Sequence, residues 1–316
     1  MTRVALVGAG VVGASWSLVF SRAGLNVAAY DPDPGASGRV VDFARAALAG
    51  LAAQGIAPPE PADAVLARLH VARSLEQALA GADYVQESVP ERVEIKRALY
   101  PLLDAAPPAT ILASSTSGLP ASSFTEGLAH RARCLVVHPI NPPHLIPLVE
   151  IVPAPWTAPD VVDRATALMR QVGQSPIRLR REINGFVVNR LQSALLAEAF
   201  RLVEDDIVAA EEVDRAMTDG LGLRWFFIGP FATIDLNARD GVAEYCRNLG
   251  PMYYDLAREQ ADPRPWSPAL VARVEADLRR QVPAAGLAAR RSWRDRMLAY
   301  LGTVRQRISG EGSPGP

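Results

Sequence analysis

Three glycines close to the N-terminus constrain the fold of this 316-residue chain more than any other feature. Gly8, Gly10 and Gly13 form a G-x-G-x-x-G pattern. An apolar run precedes them at residues 4–7, and an apolar-periodic segment follows as far as Ala23. In such a pattern the first glycine permits a tight turn, the second lets the backbone approach a pyrophosphate, and the third lets a helix pack closely on a strand. The sequence therefore predicts a strand, a turn and a helix, as at the start of a dinucleotide-binding domain.

Two further features of this segment point to the cofactor. Val11 and Val12 open the predicted helix, so their N–H groups would face a bound phosphate. Asp31 ends the second predicted strand, 18 residues after Gly13. A carboxylate at that position accepts from a ribose 2′-hydroxyl and repels a 2′-phosphate, which favours NAD over NADP.

The order of the predicted elements indicates the fold class. Strand and helix patterns alternate as far as residue 179, apart from an Ala-rich helical excursion at residues 34–69 that Pro58, Pro59 and Pro61 interrupt. Such alternation implies a parallel sheet, which binds its ligands at the carboxyl ends of the strands. Only helical patterns follow residue 187, among them a helix at residues 231–249 with a break near Gly241 and a separate helix at residues 251–258. We therefore predict an α/β Rossmann-like domain with a mostly parallel sheet at residues 1–184 and an all-α C-terminal domain at residues 185–316.

The stretch at residues 134–153 concentrates the residues suited to acid–base chemistry. His138 stands where one apolar strand pattern ends, and Glu150 is the single charge in the next strand pattern. Four prolines between them favour a stiff, extended loop around Asn141. A carboxylate on one ring nitrogen of a histidine fixes the tautomer and supports the imidazolium, as a general base requires. The alternative is an ordinary core histidine beside a strand-edge glutamate.

Other polar residues fall at predicted strand ends or in unusual places. Ser117 lies in a hydroxyl-rich loop after one strand, where it could also be a helix cap or a solvated turn. Glu91 follows another strand and would share a helix at residues 91–106 with Lys96, where both could be plain surface charges. Asn189 is a poor helix former in the first turns of the long helix, which suggests either a functional amide or an inter-domain hydrogen bond.

Bulk composition narrows the class of protein. Hydrophobic residues make up 49% of the chain and charged residues 21%, as in globular proteins, and the formal net charge of −1 gives no basic field for nucleic acid. The two cysteines, Cys134 and Cys246, provide neither a disulfide framework nor a metal-ligand spacing. We see no apolar run long enough to span a membrane and no signal peptide, so we expect a cytoplasmic protein without a membrane or nucleic-acid partner.

Several motifs together resemble the 3-hydroxyacyl-CoA dehydrogenase superfamily. The motifs are GAGVVG at residues 8–13, VPE at 89–91, SSTSGL at 114–119, HPINPPHLIPLVEIVP at 138–153, NGFVVNRLQ at 184–192 and GLGLRWFFIGP at 220–230. The HPxNPPxxIPLVE form is most similar to the branch of L-gulonate 3-dehydrogenases and lambda-crystallins, and the likeness runs from Val4 to about Leu301. The resemblance implies an NAD-dependent dehydrogenase that dimerises through its helical domain.

The resemblance also implies roles for individual residues. His138 matches the catalytic base of the family and Glu150 its partner, while Ser117 and Asn189 match residues that hydrogen-bond the substrate oxygen. The set implied to contact NAD comprises Asp31, Glu91 and Lys96, in addition to Gly8, Gly10, Val11, Val12 and Gly13 of the glycine turn.

The substrate is less constrained than the chemistry. Arg224, in a Gly-rich turn, could pair with a substrate carboxylate, although a helix cap or an ion pair is an alternative; Asn141 is a further candidate for substrate binding. We expect oxidation of the 3-hydroxyl of a small L-gulonate-like acid. The alternatives are a 3-hydroxyacyl-CoA, another β-hydroxy acid such as carnitine, or a non-catalytic crystallin-like NAD(H)-binding protein. Trp225, Phe226 and Phe227 are interpreted as domain or dimer core rather than as a trimethylammonium cage.

Overall fold

The structure is a computed structural model that describes residues 2–56 and 60–310. The described residues form two compact units, one running to Asn189 and including those from Ser292 onward, the other comprising Arg190–Arg291. The domain boundary at residue 184 stays a prediction. Two of the prolines expected to interrupt the helical excursion, Pro58 and Pro59, lie outside the described residues.

Strands and helices alternate through the first unit. The strands are β1 Arg3–Val7, β2 Asn26–Tyr30, β3 Leu69–Val71, β4 Tyr84–Glu87, β5 Ile111–Ser114, β6 Cys134–Pro139, β7 Leu148–Pro153 and β8 Ser175–Arg178. The helices between them are α1 Val11–Arg22, α2 Pro34–Ala52, α3 Ala62–Leu66, α4 Leu75–Leu79, α5 Val93–Leu103, α6 Ser122–Thr125 and α7 Pro159–Gln171. Those that follow are α8 Val188–Glu204, α9 Ala210–Arg215, α10 Gly222–Trp225, α11 Pro230–Leu236, α12 Val242–Glu259, α13 Pro268–Gln281 and α14 Leu287–Gly310.

The eight strands form one sheet in the order β3-β2-β1-β4-β5-β6-β7-β8. Neighbouring strands are parallel except for β6 and β7, which are antiparallel. The chain runs outward from β1 to β3 and then returns to place β4 on the other side of β1, so the strand order reverses between β1 and β4. Sheets of this kind bind ligands at the carboxyl ends of the strands beside such a reversal. The predicted fold class, a mostly parallel α/β domain followed by helices, is confirmed.

Apolar residues cover both faces of the sheet, as a parallel sheet requires. On one face α1, α2 and α7 bury side chains such as Trp16 and Phe20, whose rings stack at 5.2 Å. On the other face Tyr100 of α5 packs against Phe124 of α6, with ring centroids 4.7 Å apart. These two layers fix the strands rigidly, so the residues at the strand ends have defined positions.

The structure corrects two helix predictions. Helix α5 begins at Val93, so Glu91 lies in the loop before it and does not share a helix with Lys96. Helix α12 continues through Pro251, where a new helix was expected. A proline inside a helix leaves the carbonyl of the fourth preceding residue, here Arg247, without its N–H partner. Both residues are exposed, so water can hydrate that carbonyl and the helix continues.

The second unit is wholly helical and has a small core. Val203, Ala210 and Leu270 form that core, and Arg201 bonds to the carbonyls of Glu259, Gln260 and Asp262 at the end of α12. The residues between α9 and α10 form a π-helical turn, Ala216–Leu221. Large apolar side chains of this unit are exposed, including Phe231 at 80% and Leu236 at 72%. Among the described residues, no helix combines the length and apolar character needed to cross a membrane.

Candidate active site

The glycine turn joins β1 to α1 at the reversal of the strand order. Gly8 has a φ of +95°, which disfavours other residues, and its N–H donates to the carbonyl of Tyr30 at 2.9 Å. A Cβ on Gly13 would lie only 2.0 Å from the Gly8 carbonyl oxygen, so only glycine lets the helix pack this closely. A Cβ on Gly10 would meet nothing within 4 Å, which leaves open space above the turn.

Asp31 and the start of α1 supply groups that suit a dinucleotide. Asp31 accepts the N–H of Ala9 through Oδ2 at 2.8 Å and that of Asp33 through Oδ1 at 2.9 Å, and each oxygen keeps a lone pair for a ribose hydroxyl. Helix α1 has neither a side-chain cap nor an acidic residue in its first turn, so the N–H groups of Val11 and Val12 are available to an anion. These residues fit the pyrophosphate and ribose of a dinucleotide.

His138 and Glu150 face each other across the antiparallel pair β6–β7. Nδ1 of the imidazole lies 2.7 Å from Oε2 of the carboxylate, and both side chains are buried. A carboxylate in this position accepts from Nδ1–H, so Nε2 carries the lone pair of the neutral ring. Within the described part of the chain Nε2 has no hydrogen-bond partner, and it can accept a proton from a bound molecule.

The second oxygen of Glu150 is also bonded. Oε1 accepts the N–H groups of Val187 at 2.7 Å and Val188 at 3.1 Å, where α8 begins. Burial raises the pKa of Glu150, but the hydrogen bonds from His138 and the two N–H groups outweigh burial, so the net effect is a lowered pKa. The carboxylate therefore stays ionised and orients the imidazole.

Phe186 makes this arrangement possible, although sequence reasoning did not identify it. Its φ of +51° is unusual for a residue with a side chain, and it directly precedes the two N–H groups that Glu150 accepts. Its buried ring lies 5.5 Å from the His138 ring, at 54° to it. Strained backbone of this kind is often found at functional sites. The Asn-Gly pair before Phe186 was the one sequence signal of a turn here.

Glu91 holds the hydroxyl-rich loop that follows β5. Its Oε1 accepts from the Thr116 hydroxyl at 2.5 Å, from the Ser117 N–H at 2.9 Å and from the Gly118 N–H at 3.0 Å. The Ser117 side chain is exposed, and its hydroxyl has no hydrogen-bond partner among the described residues. The loop is thus fixed from below while the hydroxyl of Ser117 stays available.

Asn189 connects this loop to the base. Its Nδ2 donates to the Ser117 carbonyl at 2.6 Å, and the second N–H of this amide has no partner among the described residues. Asn189 directly follows the residues that bond to Glu150. His138, Glu150, Asn189 and Ser117 are therefore linked through hydrogen bonds and one short stretch of chain, residues 187–189. Four residues that are distant in the sequence come together.

Within the described part of the chain, two other predicted substrate-binding residues make no hydrogen bond to this group. Asn141 is exposed in the loop between β6 and β7. Arg224 lies in helix α10 of the second unit, and not in a turn as expected. Its side chain has no ion-pair or hydrogen-bond partner among the described residues. Trp225 and Phe227 are exposed, so they are not core of that unit.

Lys96 is not a surface charge. It is 1% exposed, and its Nζ bonds to both oxygens of Glu87, at 2.8 and 2.9 Å, and to the Ser114 hydroxyl at 3.3 Å. Glu91 lies 3.9 Å away and is 43% exposed. A buried carboxylate in β4 was not predicted, although Glu87 interrupts an apolar strand pattern. A direct contact of Lys96 with NAD stays a prediction.

A second buried network joins the ends of β4, β5 and β6 on the face of the sheet opposite to Lys96 and Glu87. Gln86 accepts from the Tyr84 hydroxyl at 2.6 Å and donates to the Ser115 hydroxyl at 2.7 Å and the Val137 carbonyl at 3.3 Å. The strand ends that carry the hydroxyl-rich loop and His138 are thereby tied to one another.

Comparison with known proteins finds relatives over nearly the whole chain. Residues 3–183 match the NAD binding domain of 3-hydroxyacyl-CoA dehydrogenase, and residues 185–280 match its C-terminal domain. A lambda-crystallin homolog of Bos taurus is 43% identical over 309 residues, 96% of each chain. An L-carnitine dehydrogenase of Streptomyces griseus is 43% identical over 79% of this chain and 74% of that protein. The solved structure of 5-formyl-3-hydroxy-2-methylpyridine 4-carboxylic acid 5-dehydrogenase, an NAD⁺-dependent dismutase, superposes with a TM-score of 0.82 at 29% identity, covering 98% of this chain and 99% of that one.

Proposed function

The chain belongs to the 3-hydroxyacyl-CoA dehydrogenase family, and on that premise we propose that it oxidises the 3-hydroxyl of a small free 3-hydroxy acid of the L-gulonate type, with His138 as the base. The family supports NAD-dependent dehydrogenation of 3-hydroxy groups, and NAD is the cofactor. The buried His138–Glu150 pair is the main support for this proposal, because it leaves Nε2 of the imidazole able to accept a proton.

The proposed mechanism assigns one task to each polar group. His138 takes the proton of the 3-hydroxyl through Nε2, and Glu150 stabilises the imidazolium that forms. The Ser117 hydroxyl and the free N–H of Asn189 donate to the oxygen as it becomes a carbonyl. Bound NAD supplies the hydride acceptor for carbon 3 of the substrate.

The helical excursion argues against a CoA thioester. A CoA nucleotide carries phosphates that arginine side chains bind well. The three arginines of the excursion are all committed to ion pairs: Arg39 with Asp33, Arg45 with Asp42 and Arg68 with Glu60. Relatives named for carnitine and for a pyridine carboxylic acid likewise favour a free acid. The family description keeps the thioester as the second candidate.

Arg224 is the candidate for binding the substrate carboxylate. Because its guanidinium has no anionic partner among the described residues, it can form a bidentate pair with an acid. Arg224→Met should raise the KM for the hydroxy acid and leave NADH affinity unchanged. Arg247→Met, an equally exposed change on α12, is the matched control. Equal effects of the two substitutions would remove Arg224 from the site.

The first experiment is an assay of NADH formation with NAD and a panel of L-gulonate, 3-hydroxybutyrate, L-carnitine and 3-hydroxybutyryl-CoA. Highest kcat/KM for L-gulonate or another short free acid supports the proposal. If kcat/KM is highest for 3-hydroxybutyryl-CoA, the substrate is a CoA thioester and not a free acid. Absence of turnover with all four, together with tight NADH binding, would favour the non-catalytic crystallin-like alternative.

The exposed apolar side chains of the second unit suit a second copy of the chain. Leu223, Phe231, Leu236 and Tyr254 are each more than half exposed, and burying them against a second copy of the chain would remove apolar surface from water. We therefore place the dimer interface there. Sedimentation should give a dimer that Phe231→Glu weakens, and a wild-type monomer at assay concentration would contradict this. A reducing cytoplasm stays our proposed compartment, since Cys134 and Cys246 are both free thiols.

A further inference from the structure

Ser15 makes a two-point contact with the loop that follows the candidate base. It lies buried on α1, and its Oγ accepts the backbone N–H of His144 at 3.1 Å and lies 2.6 Å from Nδ1 of the same residue. Ser17, two residues later, instead donates to the carbonyl of Ala14 in its own helix. Ser15 makes no such bond among the described residues. It reaches out of α1 to residues 140–147.

The charge state of His144 determines how the two side chains bond. Burial lowers the pKa of His144 to about 4, against an opposing effect of Asp295, and Arg22 lowers it further. The ring is therefore neutral near pH 7 and has one nitrogen that accepts. Because Ser15 Oγ already accepts the N–H of His144, its own proton is free to go to Nδ1. The two hydrogen bonds then run in opposite directions between the same two residues.

Further contacts make the loop a rigid unit. The His144 ring meets Phe43 of α2 edge-on, with centroids 5.4 Å apart at 86°. The carbonyl of Pro142 accepts the N–H groups of Leu145 and Ile146, each at 3.0 Å. Gln174 adds a bond from its Nε2 to the carbonyl of Pro143 at 3.3 Å. Among the described residues, the hydrogen bonds that tie this loop to α1 are the two between Ser15 and His144.

The loop and α1 carry different parts of the proposed reaction. The loop begins two residues after His138 and bears Asn141, whereas α1 carries the phosphate-facing end of the cofactor site. Hydride transfer needs the reacting atoms of the substrate and the cofactor held in fixed relative positions, and a misplacement of about 1 Å can lower the rate about a hundredfold. A bond that ties the loop to α1 would maintain these relative positions.

We propose that Ser15 and His144 are positioning residues that lock the loop between β6 and β7 onto the dinucleotide-binding helix, so that the base and substrate side stay aligned with the cofactor. This role rests on the proposed function. It acts through the placement of His138 and Asn141, and neither Ser15 nor His144 needs to touch substrate or NAD.

The test compares Ser15→Ala and His144→Leu with His144→Asn. Asparagine places an amide oxygen where Nδ1 stood, so it preserves the acceptor, and leucine removes it. Ser15→Ala and His144→Leu should lower kcat about tenfold, the effect expected from one net hydrogen bond, with the Kd for NADH unchanged within about twofold. His144→Asn should retain kcat within about threefold of wild type. Ser17→Ala, a buried serine on the same helix, is the matched control and should leave kcat unchanged.

A second measurement does not depend on turnover. Amide hydrogen exchange of residues 140–147 in the NADH-bound protein should be faster in Ser15→Ala and His144→Leu than in Ser17→Ala. If Ser15→Ala matches Ser17→Ala in both kcat and exchange, the lock is refuted. An equal loss of kcat in His144→Asn and His144→Leu also refutes the lock. If Ser15→Ala does not fold, the comparison of these two His144 variants provides the test.

Failure of this proposal and failure of the proposed function give different results. If His138→Ala abolishes turnover while Ser15→Ala behaves as Ser17→Ala, the function stands and the lock does not. If no acid of the panel is oxidised by the wild type, the exchange comparison still decides whether Ser15 holds the loop.

Discussion

His144 should make the stability of the protein fall as the pH falls below neutrality. In the unfolded chain its pKa is near the ordinary value of 6.5, and in the folded protein burial lowers the pKa to about 4. Between these two values the unfolded chain binds more protons than the folded protein. The free energy of unfolding therefore rises with pH across this window and is fully recovered above about pH 6.5. The perturbation that isolates this effect is His144→Asn, which keeps the bond to Ser15 and removes the titration.

The magnitude follows from the two pKa values. A tenfold difference in proton affinity between the folded and unfolded states is worth about 1.4 kcal/mol. At about pH 5 the unfolded His144 is largely protonated and the folded one is not, so the free energy of unfolding is lower by about 2 kcal/mol than at about pH 7. The ring is only partly shielded from water, so about 2 kcal/mol is an upper value for this contribution.

Urea unfolding of the wild type and of His144→Asn at the two pH values measures the difference directly. Other groups that titrate in this range are common to both proteins, so their contributions cancel. We expect His144→Asn to gain about 1–2 kcal/mol of stability relative to the wild type between about pH 7 and about pH 5. If the two proteins lose stability in parallel, His144 is not held neutral by burial and the reasoning fails.

Three other substitutions test separate parts of the site. Gly10→Ala should leave the free energy of unfolding nearly unchanged, because the φ of −69° suits any residue and the added Cβ meets nothing within 4 Å. The affinity for NADH should nevertheless fall at least about tenfold, because the Cβ would stand where the pyrophosphate approaches. Unchanged NADH affinity would show that the pyrophosphate binds elsewhere. Phe186→Ala should lower kcat more than it raises the KM for NAD, because the ring supports His138; thermal denaturation provides the control for folding, and an unchanged kcat would count against this role. Lys96→Met should lower the free energy of unfolding in urea by about 3–5 kcal/mol, because it leaves Glu87 buried without its ion-pair partner. The double variant with Glu87→Gln should recover part of that loss. A Lys96→Met protein as stable as the wild type would contradict this reasoning.

Much of the fold could be predicted because local signals agreed with one another. The glycines at positions 8, 10 and 13, followed by Asp31, predicted the strand, turn, helix and second strand that the structure shows. Serine is a favoured helix N-cap residue, and the Oγ of Ser74 accepts the N–H of Gln77 at the start of α4. The antiparallel pairing of β6 with β7 was not predicted, because strand direction depends on distant pairing that a period-two pattern does not encode.

The parts of the site that escaped prediction depend on contacts between distant residues. The sequence gives no sign that Lys96 turns inward to Glu87 across the space between α5 and β4. The left-handed backbone of Phe186 could not be foreseen either, since residues with a Cβ rarely adopt it and tertiary contacts enforce it here. Ser15 was indistinguishable from Ser17 in an apolar helix until the partner of each hydroxyl was known.

The most direct test of the proposed chemistry is His138→Ala, measured for both turnover and cofactor binding. Nε2 of His138 is the proposed proton acceptor and lies apart from the glycine turn in the chain, so its loss should remove catalysis without removing the cofactor site. We expect kcat for the acid that the wild type oxidises best to fall by about a hundredfold to ten-thousandfold, with the Kd for NADH within about twofold of wild type. Turnover retained at the wild-type rate by a folded, NADH-binding His138→Ala protein would contradict the assignment of the base.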